Sequence, residues 1–240
     1  MQNQYLVIDI ETIPCQRQDV REYIAATIKP PATFKKAESI AAWHKEQGPE
    51  AIEEAVSKTG LDGAFGQVCV VGLALDEDEP AVIYGLDEAA LLNHLNAKLD
   101  TIPTSMHNAI TLVGHNLQGF DIRFLWQRYV VNGIRPHAII SASVNAKSWD
   151  AKVYDTMTQF AGYGNRISLN KLCLALGIES PKGDMDGSMV GQYVADGRIE
   201  EVAAYCLKDV AATRKAYQRM TFRDSQKAAE VQEQFEAVAA

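Results

Sequence analysis

The segment YLVIDIE at residues 5–11 constrains this chain more than any other. It is a short apolar run rich in β-branched residues, which predicts a buried strand that Pro14 brings to an end. Yet it carries two carboxylates, Asp9 and Glu11. Side chains two apart on a strand point to the same side, so these anions stand together. Their mutual repulsion and the loss of solvation raise the cost of ionisation, and a divalent cation offsets that cost directly. The alternative reading is a shifted strand, or a Glu11 that opens a solvated loop before Pro14.

The rest of the chain predicts a mixed sheet. Residues 15–64 are helical in composition and interrupted by Pro30, Pro31, Gly48 and Pro49, which marks a helical insertion after the first strand. Strands follow at 67–75 (QVCVVGLAL) and 81–85 (AVIYG), joined by the acidic turn DEDEP as an antiparallel hairpin. A helix at 86–99 precedes a strand at 111–116. A helix at 120–133 stops at Asn132-Gly133, and a strand covers 152–157. The helix at 168–178 is capped by Ser168 and stopped by Gly177, and a long amphipathic helix spans 198–220. The tail, 221–240, has no evident anchor. Hairpin strands followed by alternating strands and helices imply an α/β architecture with helices packed on a mixed sheet. The chain through residue 220 then reads as a single domain.

Two further segments direct acid toward an interior. In GHNLQGFDIRFL (114–125), Asp121 opens a helix, where the dipole alone would favour a carboxylate. It shares the core-facing stripe with Phe124 and Leu125, with Asn116 and Gly119 shaping the turn before it. In YCLKDVAAT, Asp209 lies at the edge of the stripe formed by Val202, Tyr205, Cys206, Val210 and Thr213. Tyr205, four residues earlier, shares its face. The competing reading of Asp209 is a surface pair with Lys208 or Arg214. An all-oxygen donor set with no Cys or His spacing favours Mg²⁺ or Mn²⁺ over zinc. Four carboxylates can hold two such ions at roughly 3.5–4 Å.

Composition narrows the choice. The chain has 240 residues, a length that suits one large α/β domain. Its formal net charge of −8 argues against a non-specific binder of the nucleic-acid backbone. Cation-holding carboxylates contribute to that total. Cys15, Cys69, Cys173 and Cys206 form no CxxC pair and lie in or beside apolar runs, as reduced thiols of a cytoplasmic protein would. The N-terminus lacks a basic segment of the signal-peptide kind, and no apolar run is long enough for a bilayer, so no membrane partner is expected. DMDG at 184–187 is not a calcium loop: its Gly comes early and no closing Glu follows.

In this order, DIE, NLQGFD and YCLKD resemble the three exonuclease motifs of the DEDD proofreading superfamily. Tyr205 four residues before Asp209 matches its tyrosine subgroup; the histidine subgroup would place His where Ala204 stands. With PATFKK in the insertion and GDMDGSMV before the long helix, the chain is similar, over about residues 4–220, to predicted 3′→5′ exonucleases related to the proofreading domain of family B DNA polymerases. The resemblance implies a ribonuclease H-like fold with a five-stranded sheet. It implies a metal-dependent 3′→5′ exonuclease that acts on a nucleic-acid 3′ end, with single-stranded DNA as the expected substrate, and releases 5′-mononucleotides. Two Mg²⁺ or Mn²⁺ ions would bind Asp9, Glu11, Asp121 and Asp209. Asp9 would serve both, Glu11 and Asp209 the water-activating ion, and Asp121 mainly the other, while Tyr205 orients the water. A phenol of pKa about 10 is a poor base.

The resemblance also points to Thr12, Ile13 and Asn116 near the terminal nucleotide. Phe120 reads as a wedge or as core, and His115 as structural. Asp155 either lines the site or caps a turn. Lys35, Lys36, Lys171 and Lys182 are candidate phosphate contacts or ordinary solvated lysines. Two other functions stay open: a non-catalytic nucleic-acid- or protein-binding module on the same fold, and an exoribonuclease or oligonucleotidase. Choosing between DNA and RNA depends on contacts to the 2′ position.

Overall fold

The computed structural model describes residues 4–223 except positions 104, 106, 108, 148, 182 and 184. Five strands form one mixed sheet: β1 (Tyr5–Ile13), β2 (Gln67–Leu75), β3 (Ala81–Tyr84), β4 (Thr111–Gly114) and β5 (Val153–Asp155). Their spatial order is β3-β2-β1-β4-β5, which puts the acidic strand in the middle. β1 runs antiparallel to β2 and parallel to β4, while β2 and β3 form the expected hairpin. The β1–β2 register slips between Glu11 and Thr12. Such a bulge re-aims the side chains beside it, and here it follows the second carboxylate immediately.

The central strand is apolar on both sides because helices cover both faces. Leu6, Ile8 and Ile10 point into a core with α4 (Glu88–Asp100) and α5 (Asp121–Val131), where Leu92, Leu95, Leu125 and Tyr129 are fully buried. Tyr5 and Val7 point the other way, toward Val210 and Tyr217 of the long helix α10 (Ile199–Met220). Asp9 and Glu11 continue this second row, so they face α10 as well. The helix starts and stops follow the residues that predict them. Ser168 Oγ accepts from the Lys171 amide at the head of α8 (Leu169–Leu176), and Gly177 closes that helix with φ +65°.

The insertion consists of α1 (Gln18–Thr27), α2 (Ala37–Glu46) and α3 (Gly48–Lys58), with a small core of Cys15, Val20, Ile24 and Val56. Thr12 Oγ1 of β1 donates to the Gly60 carbonyl at 2.6 Å, and just past the strand the Cys15 amide donates to Thr59 Oγ1 at 2.7 Å, which together hold the far end of the insertion against its start.

Three short helices were not expected from the sequence: α6 (Ala138–Ser143), α7 (Thr156–Ala161) and α9 (Val190–Ala195). Each has only six residues, too few for a helical period to stand out. The strand read at 152–157 is therefore shorter than expected, because Asp155 turns the chain into α7. The buried pair Glu88–Arg128 was also missed. Arg128 bonds both Glu88 oxygens, at 2.9 and 2.7 Å, while Glu88 Oε1 accepts from the Val68 amide. Arg128 further donates to the carbonyls of Gly63 and Ala64, so one bidentate contact joins two helices, β2 and the end of the insertion. Among the described residues, no helix is long and apolar enough to cross a membrane.

Candidate active site

Three separated segments converge where α10 crosses the sheet. Asp9 and Glu11 enter from β1. One oxygen from each, together with Cys206 Sγ of α10, lies within 4.8 Å of the others. The Cys206 thiol donates to Asp9 Oδ2 at 3.3 Å. Asp121 comes from the first residue of α5, is only 4% exposed, and accepts the Ile10 amide at 3.2 Å, so it is fastened to the strand between the two acids. Asp209 reaches in from α10 and receives the Tyr205 hydroxyl. Among the described residues, no Lys or Arg forms an ion pair with any of the four. The surface pairing considered for Asp209 does not form: Arg214 donates instead to the carbonyls of Asp76 and Asp78.

The electrostatics record the strain of gathering these charges. Burial, then the charges of Asp121, Glu11 and Asp209, hold the Asp9 carboxyl far above the usual carboxylate range. Burial, Asp209 and Asp121 do the same to Glu11. Burial lifts Asp121 to about 7 despite the helpful amide of Ile10, with Asp155 and Asp209 adding to the rise. Burial lifts Asp209 to about 6, against the stabilising Tyr205 hydrogen bond. Burial also raises the thiol of Cys206, as do Asp9 and Glu11. A site that penalises negative charge this strongly, with no Lys or Arg paired to it among the described residues, is one whose carboxylates could hold a divalent cation. The donors are mainly hard carboxylate oxygens, which suit Mg²⁺ or Mn²⁺. Cys206 entered the sequence reading only as part of an apolar stripe; its place three residues before Asp209 on the same face is the signal that was available.

Two glycines shape the surroundings. Gly72 pairs directly with Asp9 across the β1–β2 ladder. A Cβ there would fall 2.7 Å from Val210 Cγ2 and 2.8 Å from Cys206 Sγ, so its absence lets α10 settle onto the sheet. Gly119 makes room for the Asn116 side chain, and Asn116 itself adopts the left-handed φ of +64°. Asp155 holds this turn. It is 2% exposed, its oxygens accept the amides of Asn116 and Gln118 at 3.0 and 3.1 Å, and it also caps α7 through Met157 and Thr158. These bonds are those of the capping reading of Asp155, and the turn it braces leads into Asp121.

The remaining candidates are placed as follows. Thr12 spends its hydroxyl on Gly60. Ile13 is 2% exposed and packs in the cluster with Val202 and Cys206. Phe120 is partly buried and stacks at 5.3 Å on Phe124. His115 bonds Thr156 and the Ile167 carbonyl, and burial lowers its pKa, so it is a neutral structural residue. Lys35, Lys36 and Lys171 are exposed, while Lys182 and Asp184 lie outside the described residues.

Comparison with known proteins agrees with this architecture. The fold resembles that of the family B DNA polymerase from the hyperthermophilic archaeon Pyrobaculum calidifontis, with TM-score 0.55, 13% identity, and coverage of 91% of this chain and 24% of that one. E. coli Exonuclease I, solved in complex with a 5cy-dT13 oligonucleotide, aligns with TM-score 0.46, 15% identity, and coverage of 94% of this chain and 42% of that one. The chain thus spans less than half the length of either protein. No curated protein matches it. The sheet order and flanking helices are those of a ribonuclease H-like α/β fold. The family described as predicted 3′-5′ exonuclease related to the exonuclease domain of PolB matches residues 70–240, and the chain belongs to it.

Proposed function

We propose that the chain is a metal-dependent 3′→5′ exonuclease that removes 5′-mononucleotides from the 3′ end of single-stranded DNA. The observation that carries this reading is the convergence of Asp9, Glu11, Asp121 and Asp209 in one largely buried cluster with no paired Lys or Arg among the described residues. Two Mg²⁺ or Mn²⁺ ions bound there would activate a water and stabilise the leaving 3′ oxygen. Asp9, the most crowded of the four, would be shared by both ions. Glu11 and Asp209 would complete the site beside the attacking water, and Asp121 the other. Burial and Asp209 raise the pKa of Tyr205, which therefore stays a neutral phenol. It can position water through its hydroxyl but cannot take the proton. Asn116 and Thr12 would lie against the terminal nucleotide, with Phe120 closing the apolar side. We read the chain through residue 220 as one catalytic domain, with residues 15–64 as an insertion anchored beside the end of β1.

A 5′-labelled oligonucleotide panel tests this: DNA and RNA, single- and double-stranded, with Mg²⁺, Mn²⁺ or a chelator. A ladder that shortens from the unlabelled end, only with metal and fastest on single-stranded DNA, is expected. Internal nicks, or intact substrate in every lane with metal, would overturn the assignment. Faster shortening of RNA would move it to an exoribonuclease.

A further inference from the structure

An open groove of about 750 Å³ has as its inner wall the turn Asn116–Gly119, which leads directly into Phe120 and the carboxylate-bearing Asp121. Its outer walls carry two of the most exposed aromatic rings of the described chain, Trp149 at 80% and Tyr163 at 89%. Rings of this size are usually at least half covered, and two of them on one groove are a binding signal. The same walls carry Lys147 and Arg166, and neither side chain forms an ion pair or hydrogen bond among the described residues. The inner wall offers Asn116 and Gln118.

Unpaired cations beside exposed rings, in a chain whose formal net charge is −8, form a local exception to the overall charge. Their chemistry matches a strand of alternating phosphates and unstacked bases: guanidinium and ammonium take phosphate oxygens, and any base can stack on an aromatic face. A duplex offers no free base faces to such a groove.

Resting on the exonuclease reading, we propose that this groove is the docking path of single-stranded DNA upstream of its 3′ end, with Trp149 and Tyr163 stacking bases and Lys147 and Arg166 holding phosphates. The strand then passes Asn116 on its way to the carboxylates, and the groove rather than the acidic pocket supplies affinity for length. Selection for unpaired strands follows from the stacking.

The test separates binding from cleavage. In chelator, dye-labelled oligo-dT of about ten nucleotides, within the span such grooves cover, is titrated against the chain and followed by anisotropy and by tryptophan fluorescence. Of the three tryptophans, Trp43 is buried and Trp126 partly so, which makes Trp149 the principal reporter of a stacked base. The wild type should bind, with quenching, and prefer oligo-dT to a blunt duplex. Trp149→Ala and Tyr163→Ala should each weaken binding about tenfold, with melting temperature unchanged. The double variant Lys147→Ala/Arg166→Ala should flatten the salt dependence by about 1.4 in log–log slope, two phosphates at about 0.7 each. With Mg²⁺, the aromatic variants should lose kcat/KM on the long strand but not on a dinucleotide. Wild-type hydrolysis with unaltered binding and length dependence in all these variants would overturn the groove and leave the nuclease standing. Binding that follows these variants without any metal-dependent hydrolysis would do the reverse. Equal affinity for blunt duplex and oligo-dT would also overturn the groove.

Discussion

Asp9 on the central strand stands directly opposite Gly72 on its antiparallel neighbour, and the space left by that glycine is where Cys206 and Val210 of α10 rest. The spacing between the strand that bears two carboxylates and the helix that bears a third therefore depends on one missing methyl. Gly72→Ala should force α10 away from β2. Overpacking of this kind costs about 1–3 kcal/mol, and Asp209 should retreat from Asp9 and Glu11. Urea unfolding should give the stability loss, and Mn²⁺ titration should give weaker binding. A variant with wild-type values in both would show that the helix is not held at that distance by the glycine.

Asp9→Asn removes the carboxylate proposed to serve both ions and should lower kcat at least about 10²-fold, the minimum expected when several kcal/mol of transition-state stabilisation are lost. Without metal the variant should be no less stable than the wild type, because it relieves crowding among four carboxylates. Mononucleotide release and thermal melting in chelator measure the two effects. Full activity in the variant would remove Asp9 from the reaction.

The pH dependence has a definite sign. Asp121 and Asp209 have folded-state values of about 7 and about 6, above the ordinary carboxylate value, so the folded chain binds more protons than the unfolded chain between roughly pH 4 and 7. Metal-free stability should therefore fall as pH rises through these values and recover as pH drops from 8 to 5, by about 2–4 °C in Tm for each kcal/mol regained. Saturating Mg²⁺ or Mn²⁺ should remove most of this dependence, because bound cations favour the ionised form. They should raise Tm at pH 8, by linkage worth about 2.7 kcal/mol at a hundredfold excess over Kd. A flat apo profile, or a Tm indifferent to millimolar metal, would contradict the crowded pocket.

Asp155→Ala should act at one remove. Its carboxylate satisfies the amides of Asn116, Gln118, Met157 and Thr158. Buried donors left without partners cost about 1–3 kcal/mol each when water cannot reach them. A loss of about 3 kcal/mol by denaturation is expected, with weakened catalysis because the Asn116 turn leads into Asp121. Asp155→Asn should restore part of the stability, since the amide oxygen still accepts. A variant that loses activity at unchanged stability would instead make Asp155 a direct participant.

Much of this was legible beforehand, because strands and long helices announce themselves by period. The five strands, the hairpin, the insertion and the cap and stop of α8 follow from alternation, Pro and Gly placement, and Ser168. The three short helices were not legible: six residues span fewer than two turns, and Thr156 and its neighbours are as compatible with a strand. The four acids could be picked out because each interrupts an apolar stripe. Cys206 is marked only by its spacing from Asp209, since a thiol at an apolar position looks like core until the neighbouring carboxylate is in view. Ile13 shows the opposite limit. A position beside the first motif carries no mark of whether its side chain meets solvent or, as here, the cluster beneath α10.

The hydrogen bond from Cys206 to Asp9 joins residues 197 positions apart. A nascent chain can pair its first two strands early in synthesis, but the pocket gains its fourth carboxylate only after the last long helix has been made and has docked. The acidic cluster is thus assembled late, and a partly synthesised product that stops short of α10 would carry Asp9 and Glu11 without Asp209 beside them.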